Sequence, residues 1–200
     1  MTANLRVSAE AISQYADCCA GISQTLLIAI KERLPQDMAM ILSVGCGSGR
    51  LEALLLDFAS QRDERHLNLY GVEVPSCIVK HLPEERVLRV PNSESVHPDG
   101  VFASTLMFVY PRSTSLIALY LEAFVIGALE QVIWLSHRSD WPETADLLHA
   151  AGYQVDIVDD RGIAEYELLA IATRPNLPTE TMTNESTHSK SLHGKVQLLL

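Results

Sequence analysis

The chain has few cysteines and few basic side chains, and both shortages narrow what it can be. Its four cysteines are Cys18, Cys19, Cys46 and Cys77, and none are in C-x-x-C spacing. We therefore predict free thiols in a reducing cytoplasm and no metal site. Lys and Arg number 15 against 25 Asp and Glu, for a net charge of −10. Phosphate neutralisation dominates nucleic-acid affinity, so we predict no nucleic-acid partner.

A long uncharged apolar run is also missing. The first residues, Met-Thr-Ala-Asn-Leu-Arg, contain no apolar signal core. The most apolar segment, 116–135, is interrupted by Glu122, Glu130 and Gln131, whereas a membrane helix needs about 20 nearly uncharged residues. We predict no membrane span. We expect a helix over 114–128 to pack on a sheet, and its apolar character predicts a homodimer or a partner subunit at this helix.

The most informative segment is a glycine-rich turn between a strand and a helix. An apolar run at 39–44 leads into Gly45-Cys-Gly-Ser-Gly49, and helix-forming residues follow from Arg50. Glycines suit such a turn because they adopt positive φ and let a ligand approach bare backbone. A second apolar run at 67–73 ends in Glu73. In α/β folds, a glycine turn after one strand and an acid at the end of the next hold a ribose.

The spacing of these glycines separates two classes of nucleotide-binding fold. It is G-x-G-x-G, and Arg50 stands where the third glycine of the dinucleotide pattern G-x-G-x-x-G would fall. The segment resembles the first motif of the class I S-adenosyl-L-methionine-dependent methyltransferases, and the resemblance extends loosely over 38–174. It implies S-adenosyl-L-methionine as the cofactor. The implied cofactor-binding residues are Gly45, Cys46, Gly47 and Gly49 in the loop, Glu73 at the ribose and Val74 at the adenine.

The order of elements predicts an α/β domain over 36–174. Apolar runs alternate with helical stretches, which indicates a parallel sheet covered on both faces. Predicted strands are 39–44, 67–73, 86–90, 100–109, 131–136, 153–158 and 165–173, and predicted helices are 50–60, 76–81, 114–128 and 141–151. The last two strands are separated only by a turn, so one of them is expected to be antiparallel. The class I methyltransferase fold has this feature, which implies a three-layer Rossmann-like fold with a seven-stranded, mostly parallel sheet.

Two segments flank this domain. Residues 8–34 carry apolar groups at helical spacing and Pro35 closes the region, so 1–35 is predicted to be a helical lid or cap. From Pro175 the sequence is polar and rich in Ser and Thr. Such a segment cannot bury enough apolar surface to offset its ordering entropy, so 175–200 is predicted to be a flexible tail.

Further candidate site residues follow the later strands. Asn92, after the third strand, is the nearest match to the Asp or Asn that binds adenine in the resembled family; Glu94 is the alternative, and a solvated loop is the third interpretation. Tyr110, after the fourth strand, would place its aromatic face near the positively charged sulfonium of the cofactor. The alternative is that Tyr110 only packs against its neighbours. Arg112 would pair with a carboxylate or phosphate of a substrate, or lie on the surface.

The loop after the fifth strand contains the best candidate for a general base. Oxygen methylation removes a proton from a weakly acidic hydroxyl, and histidine suits that task near neutral pH. His137 stands at this position, although a surface histidine fits the same sequence. His97 and Asp99 lie on the same predicted rim.

The resemblance implies a methyltransferase, and we expect it to act on a small molecule, by O-, N- or C-methylation. The N-P-P-Y-like motif of amino-group methyltransferases is absent, and Tyr110-Pro-Arg112 stands in its place. The alternative is a non-catalytic cofactor-binding or scaffold protein. A nicotinamide-dependent reductase is disfavoured by Arg50 and by the lack of a Tyr-x-x-x-Lys pair.

Overall fold

The computed structural model describes residues 11–35, 37–63, 66–158 and 162–175. The strands are β1 Ser13–Tyr15, β2 Cys18–Ile22, β3 Met40–Val44, β4 Leu69–Glu73, β5 Val87–Arg89, β6 Ala103–Val109, β7 Gln131–His137, β8 Gln154–Val158 and β9 Glu167–Thr173. The helices are α1 Gln24–Lys31, α2 Arg50–Asp63, α3 Thr114–Ala123 and α4 Trp141–Ala150. Short 3₁₀ turns cover Glu84–Arg86, Pro98–Phe102 and Arg138–Asp140.

The main sheet has seven strands in the order β5-β4-β3-β6-β7-β9-β8. Strand β9 runs antiparallel to both of its neighbours, β7 and β8, and the other pairings are parallel. The predicted mostly parallel sheet with an antiparallel C-terminal hairpin is thereby confirmed. The carboxyl ends of β3, β4, β5, β6 and β7 meet at one edge of the sheet, where the predicted site residues lie.

Both faces of the sheet are covered, so the domain has three layers. Successive strand residues point to opposite faces, and Met107 and Phe108 accordingly belong to two different buried clusters. One cluster includes residues of α1 and α2, and the other includes residues of α3 and α4. In the parts of the chain that the structure describes, no helix combines the length and the apolar character needed to cross a membrane.

The N-terminal segment differs from its helical prediction. Residues 13–22 form the antiparallel hairpin β1–β2, and among the described residues 11–35 the α-helix covers 24–31. The helix begins after Ser23, whose Oγ accepts a hydrogen bond from the Leu26 N–H at 2.9 Å and caps the first turn. Ala20, Ile22 and Leu26 lie in the same buried cluster as Ile41. The end of β2 and helix α1 are therefore packed into the core of the domain.

Two other helix predictions need correction. The predicted helix over 76–81 is absent, and the backbone N–H groups of Lys80 and His81 donate instead to the Ser48 carbonyl oxygen at 2.9 and 3.0 Å. Because these two N–H groups donate to the glycine turn, they do not form the hydrogen bonds of a helix. The predicted helix over 114–128 ends at Ala123. Residues 176–200 of the predicted tail lie outside the described residues.

Candidate functional site

The glycine turn adopts a conformation that other residues rarely take. Gly45, Gly47 and Gly49 have φ angles of +75°, +57° and +74°. A Cβ added to Gly45 or Gly47 would find nothing within 4 Å, so open space borders the backbone there. The N–H groups of Gly45 and Cys46 donate to the Val72 carbonyl oxygen at 2.9 and 3.3 Å. The end of β4 thus fixes the turn, and glycine is required at these positions by φ.

The predicted acid is held directly against this turn. Glu73, the last residue of β4, accepts a hydrogen bond from the Gly47 N–H at 2.8 Å through Oε2. Its Oε1 accepts one from the Val74 N–H at 2.9 Å. A carboxylate has about four lone-pair sites, so acceptor capacity remains for hydroxyl donors. The structure therefore brings together the two features that the sequence predicted as a pair.

The two thiols near the turn are structural. A Cβ on Gly71 would lie 2.5 Å from Cys46 Sγ, so the Cys46 side chain fills the space above that glycine. Burial raises the pKa of Cys46 and of Cys77 above the usual thiol range. Both thiols are protonated near neutral pH and are poor nucleophiles.

Asn92 lies in an exposed turn beyond β5. Its Oδ1 accepts hydrogen bonds from the Glu94 N–H at 2.9 Å and the Ser95 hydroxyl at 3.0 Å. The Val90 N–H donates to the Glu73 carbonyl oxygen at 3.2 Å, so this loop starts beside the acid. The Asn92 amide oxygen is already used to form this turn, and its predicted contact with an adenine stays a prediction.

Tyr110 is the one non-glycine residue with positive φ, +50°, in the described parts of the chain. Its hydroxyl donates to Glu167 Oε1 at 2.8 Å. Burial, followed by this contact with Glu167, raises the pKa of Tyr110 above the usual phenol range. Glu167 is fully buried; its Oε1 also accepts from the Gly21 N–H at 2.9 Å, and its Oε2 has no partner among the described residues. The phenol is thus committed to an internal acid that the sequence analysis missed.

His137 is the exposed last residue of β7. Its Nδ1 accepts from the Ser139 N–H at 3.2 Å and lies 2.8 Å from the Ser139 hydroxyl oxygen. Its ring stacks on Tyr166 with centroids 6.0 Å apart. His137 therefore caps the following 3₁₀ turn, as His97 does for its own by accepting from the Asp99 N–H at 3.3 Å. Arg112 is exposed.

The tip of the N-terminal hairpin reaches the glycine turn. The Asp17 carboxylate accepts two hydrogen bonds from Arg50, from Nε at 2.7 Å and from Nη2 at 3.1 Å. His81 Nε2 lies 2.9 Å from Asp17 Oδ2, and the Ser48 hydroxyl donates to the Asp17 carbonyl oxygen at 2.8 Å. Arg50, and then His81, hold the pKa of Asp17 well below its usual range. Only the unexpected Arg50 after the glycines gave a sequence signal for this cluster.

A pocket of about 80 Å³ lies between the hairpin tip and the turn, and its lining includes Asp17, Gly45, Gly47, Arg50, Glu52 and Val109. The lining combines bare backbone with the Arg50 guanidinium, and Glu73 lies next to it, hydrogen-bonded to the Gly47 N–H. Together these groups fit a nucleoside with a charged tail. The volume is smaller than the ~300–1,000 Å³ of ordinary ligand pockets. The hairpin tip forms one side of the pocket, because Asp17, Cys18 and Cys19 are among the residues that line it.

Glu52 also lines this pocket and was missed by the sequence analysis. It is buried on α2, and its Oε1 accepts from the Ser43 hydroxyl at 2.5 Å. Its Oε2 has no partner among the described residues. Burial raises the pKa of Glu52 to about 7. Its signal was a single carboxylate within the apolar run that follows Arg50.

Comparisons with known proteins identify the fold. No protein-family model and no curated protein sequence matches the chain. The methyltransferase domain of bacterial CtHen1-C is 14% identical with a TM-score of 0.53, and the match covers 75% of this chain and 95% of that one. A Methanobacterium thermoautotrophicum protein named precorrin 8W decarboxylase is 12% identical with a TM-score of 0.56, and the match covers 84% of this chain and 99% of that one. Streptococcus pneumoniae Sp1610 in complex with S-adenosyl-L-methionine is 18% identical with a TM-score of 0.51, and the match covers 79% of this chain and 77% of that one. With its strand order and antiparallel β9, the chain has the class I methyltransferase fold.

Proposed function

We propose that the protein binds S-adenosylmethionine at the glycine turn and transfers its methyl group to a small molecule. One observation carries this proposal: the Glu73 carboxylate accepts from the Gly47 N–H at 2.8 Å beside three glycines with positive φ. The turn leaves open space for a ligand, and the acid retains acceptor capacity for a ribose diol. Both features lie at the carboxyl edge of the sheet, where ligands of open α/β folds bind.

The bound cofactor would supply an activated methyl group on a sulfonium. The part of the chain is then to hold two molecules in line, which lowers the barrier through orientation. Glu73 would fix the ribose, and the backbone of Gly45 to Gly49 would border the methionine part. Val74 and Asn92 would border the adenine, since both follow strands at the edge of the sheet next to Glu73.

The acceptor would lie beyond the ends of β6 and β7. Tyr110 and His137 are the side chains proposed to border it. A small molecule is favoured because the net charge of −10 disfavours a polyanionic substrate.

The four cysteines are free thiols, which supports a cytoplasmic location for the same protein.

Calorimetric titration with S-adenosylhomocysteine tests cofactor binding. The unmodified protein should bind, and Glu73→Ala should lose at least tenfold in affinity because the ribose hydroxyls lose an ionised acceptor (about 1.5–3 kcal/mol). Glu122→Ala is the matched control, since Glu122 is an exposed acid on α3 that is given no role in the proposed site, and its affinity should be unchanged. Equal affinity in Glu73→Ala and the unmodified protein, with both folded, would contradict the proposed site.

A non-catalytic cofactor-binding protein is the second candidate. It is favoured by the internal hydrogen bonds of Tyr110 and His137, which use the phenol and one ring nitrogen of the two candidate catalytic groups. A screen of small-molecule acceptors with methyl-labelled cofactor separates the candidates. Label transfer that requires Glu73 supports the enzyme, whereas tight binding without transfer to any acceptor supports the second candidate.

We also propose that a second copy of the chain covers an apolar patch beside α3. Phe102, Val125 and Ile126 are exposed. Their two segments are adjacent, because the Ala128 N–H donates to the Val101 carbonyl oxygen at 3.1 Å. The patch lies in the turn after α3 and at the end of the 3₁₀ turn Pro98–Phe102, so it is smaller than the apolar sequence run suggested.

A further inference from the structure

The hairpin tip places a carboxylate inside the site proposed for the cofactor. Asp17 and Arg50 both line the pocket beside the glycine turn. Their side chains form a two-point hydrogen-bonded pair, with 15% of the Arg50 side chain and 24% of the Asp17 side chain exposed. A pair that is largely shielded from water is stronger than an exposed ion pair.

Arg50 is well placed to bind a carboxylate. Its guanidinium lies over the Tyr15 ring, 4.4 Å from the centroid, which orients the plane of the fork. Arginine binds carboxylates through two parallel hydrogen bonds, so any carboxylate of similar geometry can replace the one it holds. The methionine part of S-adenosylmethionine ends in such a carboxylate.

The narrow pocket indicates that the two carboxylates exclude each other. A volume of about 80 Å³ is below the ~300–1,000 Å³ of an ordinary ligand pocket. Withdrawal of the tip would enlarge this pocket and would uncover the guanidinium in one step. The base of the hairpin is anchored, because Ala20 and Ile22 are fully buried, whereas Cys19 next to the tip is exposed.

We infer that Arg50 is the residue that recognises the α-carboxylate of the cofactor, and that Asp17 is an internal competitor that occupies this position until the cofactor displaces it. This inference rests on the proposed function. The tip then acts as a latch: His81 and Ser48 hold it closed on the turn, and only a ligand with its own carboxylate can replace Asp17 at Arg50. The apparent affinity for the cofactor equals the affinity of the open form multiplied by the fraction of molecules that are open.

Two probes that differ in the amino acid tail, and therefore in the presence of a carboxylate, test this exchange. S-Adenosylhomocysteine has the amino acid tail, and 5′-methylthioadenosine lacks it. Calorimetry should show that Asp17→Asn binds S-adenosylhomocysteine about tenfold more tightly than the unmodified protein does, because the competing charge is gone. Affinity for 5′-methylthioadenosine should stay unchanged. Arg50→Ala should weaken S-adenosylhomocysteine to about the affinity of 5′-methylthioadenosine.

Asp57→Asn is the matched control, because it removes the same charge from an exposed position on α2. Its affinities should equal those of the unmodified protein. Hydrogen exchange on the unmodified protein gives a second measurement that needs no variant. S-Adenosylhomocysteine should increase exchange in residues 15–19, and 5′-methylthioadenosine should leave it unchanged.

Three results would overturn the latch. Weaker binding of S-adenosylhomocysteine by Asp17→Asn would make Asp17 a cofactor ligand. An equal gain for both probes would make the hairpin a simple lid without carboxylate exchange. Unchanged affinities together with unchanged exchange at 15–19 would leave Asp17 as a structural partner of Arg50. Failure of both probes to bind any folded variant, Asp17→Asn included, would instead reject the proposed function.

Discussion

At the scale of single residues, the buried acid Glu52 gives the pH dependence that is easiest to measure. Its carboxyl group is buried on α2, and burial raises its pKa from 4.5 to about 7. Between these two values the folded protein binds more protons at this site than the unfolded chain does. The free energy of unfolding therefore decreases as pH rises from about 4.5 to about 7, and this loss levels off above that range.

Glu52→Gln should remove this part of the pH dependence. We expect the variant to gain on the order of 3 kcal/mol relative to the unmodified protein between pH 5 and pH 8.5, because the amide never ionises. Urea denaturation at pH 5, 7 and 8.5 measures the difference. Glu122→Gln, an exposed position on α3, should show no such trend. Parallel stability curves for Glu52→Gln and the unmodified protein would refute the prediction.

At the scale of elements, the Tyr110–Glu167 contact joins the end of β6 to the start of β9. Glu167 also accepts from the Gly21 N–H, which attaches β2 and hence the hairpin to the sheet edge. The same link holds Tyr110 at a φ of +50°, an unusual angle for a residue with a side chain. The packing of the hairpin therefore depends on a carboxylate that no local pattern revealed.

Tyr110→Phe should destabilise the protein by about 1–3 kcal/mol, since a buried carboxylate oxygen loses its phenol donor. The effect is measured as a lower urea midpoint with an unchanged slope. Tyr70→Phe is the matched control; its ring lies 5.7 Å from the Arg86 guanidinium and keeps that contact without the hydroxyl. A cost in Tyr110→Phe no larger than that in Tyr70→Phe would show that the link contributes little.

At the scale of the whole molecule, the exposed apolar patch beside α3 predicts self-association. Ile126 is 94% exposed and Phe102 is 67% exposed, and neighbouring exposed apolar side chains mark interaction sites. Sedimentation velocity should find a dimer for the unmodified protein. Ile126→Asp should shift it to the monomer, because a charge is costly in an apolar interface.

Ile157→Asp serves as the control for this experiment. Ile157 is also exposed, at 41%, but it lies on the edge strand β8, away from the patch. The Ile157→Asp variant should therefore remain a dimer. A monomeric unmodified protein, or loss of the dimer only in Ile157→Asp, would reject the patch as the interface.

The sequence predicted the sheet well, because buried parallel strands are short apolar runs and the turns between them contain glycine or proline. The strand that leads into Gly45, the strand that ends at Glu73 and the C-terminal hairpin were all found close to their predicted positions. It failed at 13–22, at 76–81 and at 124–128, where the structure has a hairpin, an irregular segment and a turn in place of the predicted helices. Strands β1 and β2 pair with each other, and the Lys80 and His81 N–H groups donate to Ser48 in the glycine turn; local spacing does not report either set of contacts.

The sequence by itself determined the layered fold, the glycine turn and the acid that follows the next strand, since each depends on local pattern and on the order of elements. Only the tertiary structure decided that Asp17 meets Arg50, that Tyr110 donates to Glu167 and that the buried Glu52 lines the pocket. These contacts join residues up to 57 positions apart. Periodicity and spacing report only which side of an element is buried, so they contain no information on which distant side chain lies opposite.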